Sequence, residues 1–133
     1  MFLDLDRFKA VNDSCGHEAG DRLLKEVCRL FADSLRRDDL LARLGGDEFG
    51  VLLRGAGLEQ AQRIAERLVR QLEGYCFDHD GRCFSVGVSV GLLTLDAGSG
   101  GLEEVLRQAD SACYDAKAAG RGRVRRYPVA AAG

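Results

Sequence analysis

The stretch "ARLGGDEFGVLL", Ala42 to Leu53, breaks an apolar run with Gly45, Gly46, Asp47 and Glu48. Adjacent glycines reach the positive φ angles of a tight reversal, and acids at the tip keep it wet. Residues 39–44 and 48–53 are therefore expected to be two strands meeting at a turn. The same four residues fit a second purpose. Where side chains are absent, a polyanion can lie against the backbone, and nearby carboxylates can hold the divalent cation that accompanies it. The two readings are compatible, and the turn alone does not separate them.

Periodicity on either side supplies the rest of the fold. Residues 1–6 alternate, with Met1, Leu3 and Leu5 toward one face and Phe2, Asp4 and Asp6 toward the other, as in a strand. Apolar positions 23, 24, 27, 30, 31 and 35 predict an amphipathic helix over residues 18–36. Leu58, Ala61, Ile64, Ala65, Leu68 and Leu72 mark a second helix. After a turn at "DHDG", the segment "FSVGVSVGLL" alternates bulky residues with Ser85, Gly87, Ser89 and Gly91, the pattern of a strand on which a helix packs closely. Leu102, Val105, Leu106, Ala109, Cys113 and Ala116 trace a last helix stopped by Gly120, and Val124 to Tyr127 form a final strand. The order β-α-β-β-α-β-α-β predicts an α/β (α+β) fold. Its centre is a palm-like or ferredoxin-like sheet containing antiparallel strands and flanked by helices. With 133 residues, 46% of them hydrophobic, the chain is one domain, assigned to residues 1–128 with 129–133 as a tail.

Several classes of function are excluded or disfavoured. A net charge of −2 gives no bulk attraction to nucleic acid or to an anionic membrane, so phosphate recognition must come from placed cations. No stretch is apolar enough to span a bilayer, and "MFLDLD" is not a signal peptide, so cytoplasmic residence is the expectation. Five cysteines without a C-x-x-C pair fit reduced, mostly buried thiols better than disulfides or zinc, although Cys76 and Cys83 flank a turn.

The candidate chemistry lies at three places. Asp4 and Asp6 share one strand face, and if the glycine hairpin lies beside this strand, Asp4 and Asp47 can share a divalent cation with the Leu5 carbonyl. "FKAVNDSCGHEAGD", residues 8–21, reads as a polar loop feeding a helix. In it, Asn12 and Asp21 are able to read a purine edge; alternatively Asn12 or Asp13 caps a helix and Glu18 and Asp21 pair with its dipole. Lys117 and Arg121 fall at the end of the last helix, where the helix dipole favours cations and where phosphates can also bind. Arg123, Arg125 and Arg126 fit a solvated edge strand. Neither His17 nor His79 stands out as a catalyst.

Taken together, "FLDLDRFKAVNDSCGHEAGD" (2–21), "RLGGDEF" (43–49), "VGVSVGL" (86–92) and "ADSACYDAKAAGRGRV" (109–124) resemble the GGDEF family, the diguanylate cyclases, in order and spacing. The resemblance implies a palm-like domain that binds GTP with Mg²⁺ (or Mn²⁺) and works as a homodimer. Each subunit would supply one GTP, the products being cyclic di-GMP and two pyrophosphates. It implies metal ligation by Asp4, the Leu5 carbonyl, Asp47 and Glu48. Phe8, Lys9, Asn12, His17, Asp21, Gly45, Gly46, Lys117 and Arg121 would be GTP contacts, with Asn12 and Asp21 on guanine and the cations on the phosphates. Asp47 and Glu48 are the implied catalytic pair, Glu48 assisting deprotonation of the 3′-hydroxyl or completing the shell of a second metal.

"RRDD", Arg36 to Asp39, fits the family's R-x-x-D product-inhibition site, with Arg43 and Arg67 as accessory arginines. An arginine can clamp a phosphate or guanine edge while an aspartate accepts from the purine N–H groups. The same letters also fit an ordinary charged helix end. Family members usually carry a helix and an "LTGLxNR" stretch before the first strand, whereas this chain begins inside that strand. Fused sensory, receiver or phosphodiesterase domains are compatible with the resemblance. Three functions remain in competition: a cyclase, an inactive module that binds GTP or cyclic di-GMP within a larger regulator, and a dimerisation domain with residual nucleotide affinity.

Overall fold

A computed structural model describes residues 1–128, and the tail assigned to 129–133 lies outside the described residues. The elements run β1 (Phe2–Asp6), α1 (Phe8–Cys15), α2 (His17–Asp33), β2 (Leu40–Gly45), β3 (Glu48–Leu52), α3 (Leu58–Glu73), β4 (Phe77–His79), β5 (Arg82–Phe84), β6 (Gly87–Leu92), α4 (Leu102–Ala118) and β7 (Val124–Arg126). Five strands form one sheet in the order β2-β3-β1-β6-β7, and β4 with β5 makes a separate hairpin. β1 runs antiparallel to both of its neighbours, and only β6 and β7 are parallel. This is the expected mixed α/β architecture with a mostly antiparallel sheet.

β1 holds the centre because both of its faces are covered. Leu3 and Leu5 join a core with Leu23, Val27 and Phe31 of α2 and Ala65, Leu68 and Leu72 of α3. On the opposite face, Phe2 meets Ala109 and Cys113 of α4. The small residues of β6 explain how close α4 comes. A Cβ on Gly91 would fall 2.5 Å from the Cys113 nitrogen and closer still to the Ala109 carbonyl oxygen, so only glycine admits the helix backbone.

Three local expectations are corrected. Residues 8–15 are helical, not a loop: Phe8 and Val11 are buried one turn apart, and the polar run Asn12, Asp13 and Ser14 that follows them obscured so short a stripe. Gly16, at φ 91°, then breaks the path and α2 begins at once. α2 ends at Asp33, short of residue 36, as Ser34 and Leu35 donate to the Phe31 and Ala32 carbonyls and tighten the last turn. Finally, Cys76 and Cys83 form a disulfide. The β4–β5 hairpin pairs Phe77 with Phe84 and so brings the two adjoining cysteines together, while Cys15, Cys28 and Cys113 are free thiols.

Candidate functional site

The centre of the site is where β1 ends against the tip of the β2–β3 hairpin. The Leu5 N–H donates to the Asp47 carbonyl at 3.1 Å, and the β1–β3 register sets Asp4 directly opposite Glu48. The sheet contact inferred from sequence is therefore present. Three acids share one end of the sheet, and like charges set opposite each other repel. Asp4 bears the result. Its pKa is pushed up to about 6, first by burial and then by the charge of Asp47, with Glu48 adding and Lys117 opposing.

Among the described residues, no three His, Cys, Asp or Glu side chains converge into a ready-made metal cage. The oxygens present nevertheless suit a hard divalent cation, which prefers carboxylate and carbonyl ligands. A cation would also relieve the crowding that raises the Asp4 pKa. Completing its shell takes oxygens from a ligand or from water.

The turn itself is open. Gly46 has φ 38°, which explains one glycine. Gly45 has no positive φ, and a Cβ on it would meet nothing within 4 Å, so nothing within the described fold requires glycine there. Arg43 donates from Nε to the Gly46 carbonyl at 2.9 Å and steadies the tip from the side. Arg43 also lines a groove of about 780 Å³ with Asp21, Lys25 and Arg29. Arg43 thus shares a groove with Asp21, a residue expected to contact guanine.

The Lys117 ammonium lies 3.6 Å from Asp4 and 3.0 Å from Asp6. Burial alone would lower its pKa, but the hydrogen bond it donates to Asp6 and the charges of Asp4 and Asp6 outweigh that and raise it. Asp6 carried no assigned role in the sequence reading, and it is only 2% exposed. It accepts from the Ser89 hydroxyl, from Lys117 and from the Gly122 N–H. Arg121 is exposed beside it, at φ 62°. Alternation marked Asp6 as a strand-end acid, but nothing local signalled partners more than eighty residues away.

Asn12 and Asp13 cap neither α1 nor α2, so the capping alternative is removed, while Glu18 does stand in the first turn of α2, where the helix dipole favours an acid. The Asn12 side chain packs onto α2 exactly where Gly20 has no side chain, and its Oδ1 is buried without a partner. An unpaired buried acceptor calls for a donor. Lys9, His17 and Asp21 are exposed around it. The Phe8 side chain is buried in the core, which leaves only its main chain to face a ligand.

Arg36 and Asp39 are tied together. Asp39 accepts from the Arg36 N–H at 2.7 Å and from its guanidinium, which also donates to the Arg54 carbonyl. Burial pulls the Asp39 carboxyl up, yet these bonds hold it below the usual carboxylate range. Arg67 is exposed on α3, and among the described residues no hydrogen bond joins it to this pair.

Residues 1–123 match the family described as diguanylate cyclase, GGDEF domain. The chain belongs to the GGDEF family. It is 51% identical over 127 residues to a probable diguanylate cyclase, DgcE of Escherichia coli, covering 96% of this chain and 12% of that protein. It is 39% identical to the cyclic di-GMP phosphodiesterase PdeB of Shewanella oneidensis, covering 95% of this chain and 15% of that one. The GGDEF chain therefore spans a small part of the length of these curated relatives. A solved structure of a delta-N mutant of TpbB (YfiN) from Pseudomonas aeruginosa, comprising only the GGDEF domain, superposes with a TM-score of 0.87. The two share 38% identity, over 96% of this chain and 74% of that one.

Proposed function

We propose that this GGDEF domain is a diguanylate cyclase that condenses two GTP molecules into cyclic di-GMP and two pyrophosphates. The observation that carries the reading is the open Gly45-Gly46 turn set beside Asp4, Asp47 and Glu48, with the Lys117 ammonium 3.6 Å from Asp4. The relative DgcE is named for the same chemistry. Asp4, the Leu5 carbonyl, Asp47 and Glu48 would hold Mg²⁺ or Mn²⁺, which when bound neutralises phosphate charge and steadies the leaving pyrophosphate.

The residues of the chain then do three things. Asn12 and Asp21 orient guanine through the side-chain amide and the exposed carboxylate. Lys117, Arg121, Lys9 and the main chain at Phe8, Gly45 and Gly46 hold the triphosphate, with His17 at the rim. Glu48 takes the proton of the 3′-hydroxyl. In a face-to-face homodimer each 3′-oxygen bonds to the α-phosphorus of the other GTP, and the bond from that phosphorus to pyrophosphate breaks. Arg36 and Asp39, with Arg43 and Arg67, would form the inhibitory product site.

Incubation with GTP and Mg²⁺ followed by chromatography tests the reading, with Asp47→Ala and Glu48→Ala as controls. Cyclic di-GMP from the parent chain but from neither variant is expected. A folded, dimeric sample that makes none overturns it.

The PdeB likeness favours one second reading, a module that binds cyclic di-GMP or GTP without turnover. Under it the tied Arg36–Asp39 pair is the working site. Cyclic di-GMP affinity that is unchanged in Arg36→Ala removes that pair from either account.

A further inference from the structure

The buried carboxylate of Asp6 gathers groups that the sequence scatters. The Ser89 hydroxyl donates to its Oδ1 at 2.9 Å, Lys117 Nζ donates to the same oxygen at 3.0 Å, and the Gly122 N–H donates to Oδ2 at 3.1 Å. Asp6 is 2% exposed and Ser89 is fully buried, so these bonds are made away from bulk water, where charge-assisted pairing is strongest. The cross-strand partner of Asp6 is Gly87, where a Cβ would already press within 3.3 Å of Oδ2. The space around the carboxylate is thus kept for its donors.

What Asp6 holds is the stretch that carries the cations of the site. Gly120, Arg121 and Gly122 all have positive φ, at 124°, 62° and 57°. For Arg121 that conformation is unfavourable and persists only where neighbouring contacts impose it. The N–H of the next residue is bound to Asp6, and the Arg121 N–H is bound to the Ala116 carbonyl at 3.0 Å. Arg7, next to Asp6 in the chain, is also left-handed, at φ 66°. Two strained arginines therefore flank one buried acid.

We infer that Asp6, supported by Ser89, is a positioning residue: its buried carboxylate fixes the Lys117 ammonium and the Gly120–Gly122 turn, and so sets where cations meet the phosphates of a bound nucleotide. The inference deepens the cyclase reading and rests on it for the identity of the ligand. Asp6 itself touches no substrate. Its two-residue spacing from Asp4 puts one acid on the cation side and the other beneath the lysine.

The test compares the chain with Asp6→Asn, Ser89→Ala, Lys117→Ala and the double variants, reading affinity for a non-cleavable GTP analogue with Mg²⁺. Asp6→Asn should weaken binding about tenfold or more, as expected for a lost charge-assisted bond. Ser89→Ala, which keeps the charge, should weaken it about threefold. On a Lys117→Ala background the Ser89→Ala effect should shrink to less than about twofold and the Asp6→Asn effect to about threefold, the remainder running through the Gly122 N–H, because residues acting through one group are not additive. Losses that persist in full on that background overturn the proposal, since a general loosening of the fold would not depend on Lys117. So does unchanged affinity in a folded Asp6→Asn protein. If Asp6→Asn fails to fold, the Ser89→Ala pair decides by the same criteria.

Acylation of the Lys117 amine, followed by peptide mass spectrometry, needs no nucleotide. It should run faster in both Asp6→Asn and Ser89→Ala than in the parent chain, and equal rates overturn the positioning role. A parent chain that binds no analogue while its variants acylate faster overturns the cyclase reading and leaves the hold on Lys117 established.

Discussion

Asp4 lies directly opposite Glu48 across the β1–β3 ladder, and Asp47 adds a third negative charge to the same end of the sheet. Side chains paired in this way stand close enough for like charges to destabilise the strands. The pKa of Asp4, raised from 3.8 to about 6 first by burial and then by the charge of Asp47, with Glu48 adding less, means a proton held more tightly in the folded state. Stability should therefore fall as pH rises from about 4 to about 6, and the cost is fully present above that window. Discounted for partial solvent exposure, it amounts to about 1 kcal/mol.

Asp4→Asn should consequently raise the melting temperature in EDTA at pH 7.5 by about 4 °C, and the gain should vanish near pH 4. Magnesium should raise the melting temperature of the parent chain and leave that of the variant nearly unmoved. Equal melting temperatures at pH 7.5 would remove the proposed conflict. A site that is more stable when disabled is what a cation-binding cluster of acids predicts.

Gly20→Ala separates ligand binding from folding. A Cβ there would sit 2.8 Å from Asn12 Cγ and nearer still to Oδ1, so the amide must swing away. The obstacle is the end of a flexible side chain, and alanine is favoured over glycine in a helix by about 1 kcal/mol. The variant should melt within a few degrees of the parent while losing about tenfold in affinity for the guanine nucleotide, as when a buried acceptor loses its partner. Calorimetric titration at matched folding provides the check, and parent-like affinity would exclude Asn12 from the guanine contact.

The extent to which this molecule was legible in its sequence followed the reach of each signal. The glycine turn, the three long helices and the strands of the five-stranded sheet announced themselves by local periodicity, and the Asp4–Asp47 proximity followed once the hairpin was set beside β1. α1 was missed because its apolar stripe is only Phe8 and Val11, too short to stand out among polar neighbours. Asp6 was seen as an acid but not as an anchor, because Ser89, Lys117 and Gly122 reach it only through the sheet and α4. The Cys76–Cys83 pair likewise depends on a three-residue hairpin strand on each side, below the length at which alternation can be read. Arg43, grouped by sequence with Arg36 and Asp39, also serves the turn through its bond to Gly46.

Gly91→Ala should damage the fold itself. Its Cβ would fall 2.5 Å from the Cys113 nitrogen and closer to the Ala109 carbonyl oxygen, both main-chain atoms of α4. A helix backbone cannot step aside as a side chain can, so the sheet and α4 must separate. Overpacking of this kind costs about 3 kcal/mol, and a urea midpoint lowered accordingly, with turnover lost in proportion to the unfolded fraction, is the expected result. A midpoint matching the parent would show that α4 can retreat from β6 without penalty.

Gly45→Ala makes the opposite case at the turn that divides the hairpin. Gly46 is required by its φ of 38°, but Gly45 has ordinary φ and open space around its Cβ position. Alanine there narrows the unfolded ensemble and should leave stability unchanged or improved by about 0.5 kcal/mol. If the only reason for this glycine is that a triphosphate lies against it, the added methyl group must be felt by the ligand alone. Affinity for the non-cleavable GTP analogue should fall about tenfold, comparable to the loss of one good polar contact. Titration alongside a urea melt reads both quantities on one sample. Unimpaired binding in a fully stable variant would return the second glycine to the role of a plain hairpin residue and leave the acids as the sole evidence for phosphate at this tip.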